Sequence, residues 1–330
     1  SIAHKIVTSN LSDLSAMGAK PYCYTLNLCM PKYITIDWLE SFSYYLIKLQ
    51  KKYNFFLLGG DLSKSKQLMI SSTFFGHAEY KNIILRDHIN IGDDIWVTGS
   101  LGETYAGLKI LKNKISKNLD IKIKNYFLKK YYFPTPCMIG YKIAKYCNSG
   151  IDISDGFIND LKKIIGRRFG ARIKLNSLPT SRFMKIILKN NILKFDEIIN
   201  CGDDYELILT APNKYSYKIQ NLAHKNNIKI SKIGKIIKTK GIFSEYGKSI
   251  IQKNYFKQRY NAEDLKGKRV PDYRRILLWE PHIEIADEDL QFEFYTSDLT
   301  GEFEVVLDGF TTYGKPISVY RTILIEDGSQ

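Results

Sequence analysis

Isolated aspartates, set where strands or glycine turns meet helices, are the residues of this 330-residue chain best suited to chemistry. They are Asp13 in NLSD, Asp61 in GGD, Asp152 and Asp155 in DISDG, and Asp203 with Asp204 in GDDYE. The ends of strands are where open α/β sheets build their sites. Carboxylates gathered in one place repel unless a cation neutralises them, and hard oxygen donors suit Mg²⁺, which also bridges phosphates. In DISDG, Asp152 and Ser154 fall on one side of a strand and Asp155 can cap the helix that follows. The Ser154 hydroxyl and that helix N-terminus together suit phosphate oxygens. Taken singly, each aspartate reads first as a turn or cap residue. Finding all of them without a rival catalytic set favours metal–phosphate chemistry.

Those rivals are missing from the sequence. It holds no G-x-x-x-x-G-K-[ST] loop, no G-x-G-x-x-G after a strand and no H-R-D loop. GSLGETYAG, over 99–107, is glycine-rich at a strand-to-helix turn but carries little by itself. His4, His77, His88, His224 and His282 form no metal-spaced pair. Arg86 stands alone among lysines; it reads as a surface charge or as a bidentate phosphate contact, which guanidinium makes better than ammonium.

The elements that must hold these residues follow from spacing. Over 9–19, SNLSDLSAMGA has helical periodicity, with Asn10, Asp13 and Met17 on one face and Leu11, Leu14 and Gly18 on another. Asp13 is expected on the first turn, where the helix dipole favours a carboxylate. The residues before it, in IAHKIVTSN, read as a strand. Residues 22–30 read as a buried strand, and 35–53 as an amphipathic helix with Trp38, Phe42, Leu46 and Leu49 along one face and Thr35 as N-cap. A strand over 55–58 is expected to end in a tight turn at Gly59-Gly60-Asp61, followed by a strand over 69–80. Further on, strands are predicted over 94–99, 150–154, 171–175 and 229–237, with a glycine-to-strand transition over 201–210. Helices are predicted over 103–112, 121–131, 157–169, 181–190 and 214–225, with one more opened by Pro134-Thr135-Pro136 and running to Cys147. Helices alternating with strands at this spacing indicate an α/β or α+β body. After residue 260 the alternations HIEIA, QFEFY and EFEVV, separated by Asp/Gly turns, give a tail of period-2 strands.

Charge divides the chain at the same place. The formal net charge is +15, yet residues 261–330 hold seven Lys/Arg against fifteen Asp/Glu, leaving 42 against 19 for residues 1–260. The lysines are diluted among Ile, Asn and Tyr rather than massed in an arm, so a nucleic-acid partner is not expected. No apolar run approaches the ~18 residues of a membrane helix. Five scattered cysteines without a C-x-x-C pair argue against zinc and for a reducing, cytoplasmic setting.

NLSDLSAMGAKP, FFLLGGD, ILRDHINIGDDIWVTGSLGETYAGL, IDISDG, GARI and GDDYEL lie in the order and spacing of one family. Over residues 2–258 the chain resembles thiamine-monophosphate kinase, of the aminoimidazole-ribonucleotide-synthetase-like superfamily. The resemblance implies a ferredoxin-like N-terminal ATP/Mg-binding domain over 1–88 and a C-terminal α/β domain over 89–259. It implies Mg²⁺-assisted transfer of the ATP γ-phosphoryl onto the phosphate of thiamine monophosphate, a reaction that needs charge neutralisation and in-line positioning more than covalent catalysis. By motif position, Asp13, Asp61, Asp152 and Asp155 are implied metal ligands; Gly60, Asp61, Arg86 and Ser154 are implied ATP contacts. Asp203 and Tyr255 are implied substrate contacts, Asp203 replacing the Glu of the family's G-E-D-Y-E-L. The family is dimeric through its N-terminal sheets, which implies a homodimer.

The family's preceding G-D-D and S-T-D-x-x-V-x-x-x-H-F motifs are missing ahead of Ser1, so the chain reads as N-terminally truncated. Residues 260–330, with RVPDYRRILLWEP, resemble a β-sandwich segment of Bacteroidota envelope proteins related to α2-macroglobulin and read as unrelated in origin. Three alternatives stay open at this point. One is an ATP-binding or interaction fragment without catalysis, and another is a different synthetase of the superfamily. The third is a basic nucleic-acid binder, which would show salt-sensitive retention.

Overall fold

The computed structural model describes residues 1–115, 119–246, 300–310 and 316–326, with the single positions 278 and 291. The expectations at Tyr255 and over 282–286 and 292–295 lie outside the described residues. The chain divides into two compact units, Ser1–Ile251 and Gln252–Gln330.

The first unit opens on a helix, α1 (Ile2–Ala16), where a strand was expected for the N-terminal part. Isoleucine and valine favour strands locally, but Ala3, Val7, Leu11 and Leu14 recur at helical spacing, and all four are buried. Asp13 therefore lies in the last turn and not the first, so the dipole works against its charge. Gly18, at φ +74°, reverses the chain after the helix. A side chain there would meet the Ala144 Cβ at 2.9 Å.

Beside α1 lie β1 (Lys20–Met30), α2 (Ile36–Tyr53), β2 (Phe56–Lys64) and β3 (Met69–His77). The strands order as β2-β1-β3, with β1 parallel to β2 and antiparallel to β3. The Thr35 hydroxyl accepts the Trp38 amide at 3.2 Å and caps α2. Phe42, Leu46 and Leu49 of α2 meet Val7, Leu11, Tyr24 and Phe55 in the core under this sheet. The expected turn at Gly59-Gly60-Asp61 is absent, and β2 runs straight through it. Gly60 serves close strand approach instead, since a Cβ there would stand 1.8 Å from the Leu26 carbonyl oxygen. The register shifts just before it, between Tyr24 and Thr25.

Among the described residues the rest of the first unit is a six-stranded sheet in the order β5-β7-β4-β8-β6-β9. Its strands are β4 (Asp94–Thr98), β5 (Ser149–Asp152), β6 (Gly170–Ile173), β7 (Leu207–Ala211), β8 (Ile230–Ile237) and β9 (Gly241–Ser244). All neighbours pair antiparallel except β6 and β9. The helices are α3 (Glu103–Leu111), α4 (Ile121–Tyr132), α5 (Gly140–Ile143), α6 (Phe157–Ile165), α7 (Arg182–Lys189), α8 (Phe195–Ile199) and α9 (Ser216–Lys225). Alternation along β4 splits the core in two. Ile95 and Val97 pack with apolar residues of α3, α4, α6 and α7. Trp96 packs with Leu207, Leu209, α5 and α9 on the other face.

The helix expected from Pro134 to Cys147 shrinks to α5 and a 3₁₀ turn. Carbonyls before α5 are turned toward α1: Pro134 O accepts the Thr8 hydroxyl at 2.9 Å and Cys137 O the Ser15 hydroxyl at 2.6 Å. α6 stops at Ile165, short of Phe169, because Gly166 adopts φ +56°. No helix among the described residues is long and apolar enough to cross a membrane. The second unit holds an antiparallel hairpin of β10 (Gly301–Phe310) and β11 (Pro316–Ile325), in register from Gly301↔Ile325 to Phe310↔Pro316. A mixed α/β first unit and a β hairpin in the second match the fold class expected from the sequence.

Candidate functional site

Asp13 and Asp152 come together where α1 crosses the end of β5. Asp152, 3% exposed, has its pKa pushed up to about 6 by burial first and then by the Asp13 charge. Asp13 keeps an exposed flank, yet burial of its carboxylate raises its pKa too, opposed by a hydrogen bond with Asp152 and by the Arg86 charge. Arg86 is brought there by its backbone, whose carbonyl accepts the Ser149 hydroxyl of β5 at 2.6 Å. The Ser12 hydroxyl is fully buried next to this pair, and its side-chain contact with Asp152 works against the rise in that residue's pKa. Two adjoining carboxylates, each with its pKa raised by burial, form with the Ser12 hydroxyl an oxygen donor set that fits a divalent cation.

Ser154 and Asp155 follow on the loop into α6. Their amides point inward, both donating to Asp160 Oδ2 at 3.0 and 2.9 Å. The phosphate cradle expected from this helix N-terminus is thus partly filled by the protein's own carboxylate, leaving the exposed Ser154 hydroxyl as the group that faces out. Asp155 is held by Lys163 Nζ at 2.5 Å, and the same ammonium lies 2.7 Å from Asp160 Oδ1. Sequence reasoning missed Asp160 and Lys163; Asp160 lies one turn into α6, where a buried acid has no signature of its own.

The loop carrying Asp203 is zipped onto this one. Asp203 N donates to Ser154 O at 3.0 Å, Tyr205 N to Ile153 O at 3.0 Å, and Ile153 N to Glu206 O at 2.7 Å. A Cβ at Gly202 would stand 1.8 Å from Ser154 O, and one at Gly156 2.7 Å from the Asn200 carbonyl carbon. Asp203 and Tyr205 adopt φ +64° and +53°, a costly conformation for tyrosine. The Tyr205 hydroxyl donates to Asp203 Oδ1 at 3.0 Å, which aims the Asp203 carboxylate.

Behind it, both oxygens of Asp204 accept the Gly102 amide, at 3.0 and 2.8 Å, at the start of α3. The glycine-rich turn noted in the sequence therefore receives an internal carboxylate. Glu206 accepts the Thr98 hydroxyl at 2.6 Å, while Lys130 pairs with buried Glu103 at 2.9 Å. Burial pushes the Glu206 pKa up to about 7 from 4.5. A folded-state value above the unfolded one stabilises at low pH and loses that contribution as pH rises. Melting temperature is accordingly expected to fall between about pH 4.5 and 7, and Glu206→Gln to flatten that slope in thermal melts.

Asp61 does not join Asp13. It pairs in register with Asn27, which pairs with Ser71, whereas Ser72 on the alternate face meets Asn10 of α1. Asp61 thus lies on the sheet face away from α1, exposed, accepting the Ser63 hydroxyl at 2.6 Å. Among the described residues no three His, Cys, Asp or Glu side chains form a ready-made metal cage.

Residues 1–78 match the family model described as AIR synthase related protein, N-terminal domain. The chain is 42% identical over 258 residues to the thiamine-monophosphate kinase of Buchnera aphidicola subsp. Schizaphis graminum, covering 76% of each chain. Among solved structures it is similar to thiamine-monophosphate kinase from Stenotrophomonas maltophilia K279a, with 30% identity and a TM-score of 0.69, covering 75% of this chain and 79% of that one. It is also similar to "AaThiL complexed with AMPPCP and TMP", at 25% identity and a TM-score of 0.67, covering 76% and 78%.

Proposed function

The chain belongs to the thiamine-monophosphate kinase family, and on that premise we propose that it phosphorylates thiamine monophosphate to thiamine diphosphate with ATP. The observation that supports the reading is the junction of α1, β5 and the two zipped loops, where Asp13 meets Asp152 and the loop of Ser154 and Asp155 is hydrogen-bonded to that of Asp203. The relative complexed with AMPPCP and TMP supports both substrates.

Asp13, Asp152 and Asp155 would hold Mg²⁺, which when bound would neutralise phosphate charge. The Ser154 hydroxyl and Arg86 are the ATP contacts in this reading, with Arg86 suited to bidentate contact with phosphate oxygens. Asp203, aimed by Tyr205, accepts a hydrogen bond from substrate. Positioning and charge are all that these side chains need to supply, because direct phosphoryl transfer forms no covalent bond to the protein.

A homodimer through the N-terminal sheet belongs to the same reading. It is supported by Phe56, Met69 and Phe75, 43%, 61% and 47% exposed, which by their register with Cys23 and Cys29 of β1 share the sheet face that carries Asp61. Asp61 and Gly60 would then serve ATP from that face. We read residues 1–88 and 89–259 as the two functional domains and the cytoplasm as the setting. The test is coupled turnover of thiamine monophosphate with ATP, with and without Mg²⁺, beside calorimetric titration of ATP. Mg²⁺-dependent binding with product formation supports the kinase. Binding without turnover leaves an ATP-binding module, and no Mg²⁺-dependent binding overturns the reading.

A further inference from the structure

The mechanism above leaves two charged residues of α6 unused, and they are bound to each other and to the site. Asp160 is fully buried, with its carboxylate held by two amides and one ammonium. A buried carboxylate needs such partners to remain charged. The ammonium is Lys163, and it is shared: 2.7 Å from Asp160 Oδ1 and 2.5 Å from Asp155 Oδ2. One cation thus serves a permanently buried carboxylate on one side and an outward-facing carboxylate on the other, whose side chain is 63% exposed.

We propose that Lys163 is a built-in counter-cation that occupies Asp155 until a divalent cation arrives, then releases it and falls back on Asp160. The inference rests on the reading of Asp155 as a cation ligand. It gives the carboxylates different roles. Among the described residues the pair Asp13–Asp152 makes no ion pair of its own, and the Lys163 charge reaches Asp13 only from a distance. Asp155 is already neutralised, so its share of binding is set by competition with an ammonium on the same protein. Asp160 is the positioning residue that makes release possible, because it keeps Lys163 partnered after Asp155 is given up.

Two measurements on the full, nucleotide-free chain test it. In calorimetric titration with Mg²⁺, Lys163→Gln keeps an amide donor for Asp160 but loses the charge. It should bind Mg²⁺ about 1.4- to 5-fold more tightly, the factor expected for losing an exposed competing ion pair. Lys163→Arg should match the parent. Lys162→Gln removes the same charge one residue away and should move affinity less. Equal gains at both positions, or no gain at Lys163, would overturn the proposal. Asp155→Asn separates the two layers: weakened Mg²⁺ binding there with an inert Lys163→Gln sinks only the proposal. Unchanged binding in Asp155→Asn removes the ligand reading, and the proposal falls with it. On the unmodified protein, mass-spectrometric acylation of Lys163 should rise at least about twofold when Mg²⁺ is added, relative to Lys162. Unchanged or reduced labelling would overturn the proposal without reliance on any variant.

Discussion

Asp152→Asn is expected to abolish turnover while raising the melting temperature of the cation-free protein. In the proposed reading the loss follows from removing a buried carboxylate that holds Mg²⁺ where phosphate charge must be neutralised. Groups that stabilise charge in phosphoryl transfer are worth roughly a thousandfold or more. The gain follows from the same residue's position. Asp152 has its pKa pushed up to about 6 from 3.8 by burial and by the Asp13 charge, so its ionised form destabilises the fold. A raised folded-state value means that stability is greatest below about pH 3.8 and falls as pH rises through about 6, so at neutral pH the whole penalty is present. Replacing the carboxylate with an amide removes a penalty of order 2–3 kcal/mol. In a unit of this size that is about 4–12 °C in melting temperature. Saturating Mg²⁺ should raise the melting temperature of the parent and leave the variant nearly unmoved. Thermal melts and coupled turnover together decide it; a variant that melts lower, or keeps a tenth of parental activity, refutes the assignment of Asp152.

Gly202→Ala should have the second largest effect, with no change in charge. The added methyl would stand 1.8 Å from Ser154 O, a backbone atom anchored through the neighbouring Asp160 contacts. The two loops must move apart, breaking the Asp203 N to Ser154 O bond. Overpacking of this kind costs about 1–3 kcal/mol. With Asp203 proposed to contact substrate and Ser154 to contact ATP, a displacement of about 1 Å between them would cost about a hundredfold in rate. The expected result is a folded protein with modestly reduced stability, nearly unchanged affinity for ATP and kcat about a hundredfold lower. Wild-type kcat in a folded Gly202→Ala protein would show that the zipped loops do not set the geometry.

The sequence carries much of this, and its failures have physical causes. α2 was readable because Thr35 and the Trp38–Phe42–Leu46–Leu49 stripe speak of one element without contradiction. α1 was half readable: β-branched Ile2, Ile6 and Val7 match a strand locally, and only burial against two sheets decides for helix. Gly59-Gly60 was misread as a turn because glycine marks both a reversal and a close approach of strands. α8, five residues long, and β9, four, are too short to show a period. In the site, DISDG and GDDYE could be found as motifs. That they lie side by side depends on backbone hydrogen bonds about fifty residues apart in sequence, which leave no local trace. Asp160 and Lys163 looked like ordinary polar residues of an amphipathic helix. Asp61, grouped with the other aspartates by type, is separated from them by the pleat of β2.

The bonds that seat α1 also set a timetable for synthesis. Ser15 reaches Cys137 across 122 residues and Thr8 reaches Pro134 across 126. At about 5–20 residues per second, the helix bearing Asp13 leaves the ribosome roughly 6–25 s before the chain that receives it. Until then its buried face has only the first sheet to lean on, and the half of the site it carries has no counterpart. Mutations that loosen α1 should therefore lower the yield of newly made protein more than they lower the stability of protein already folded.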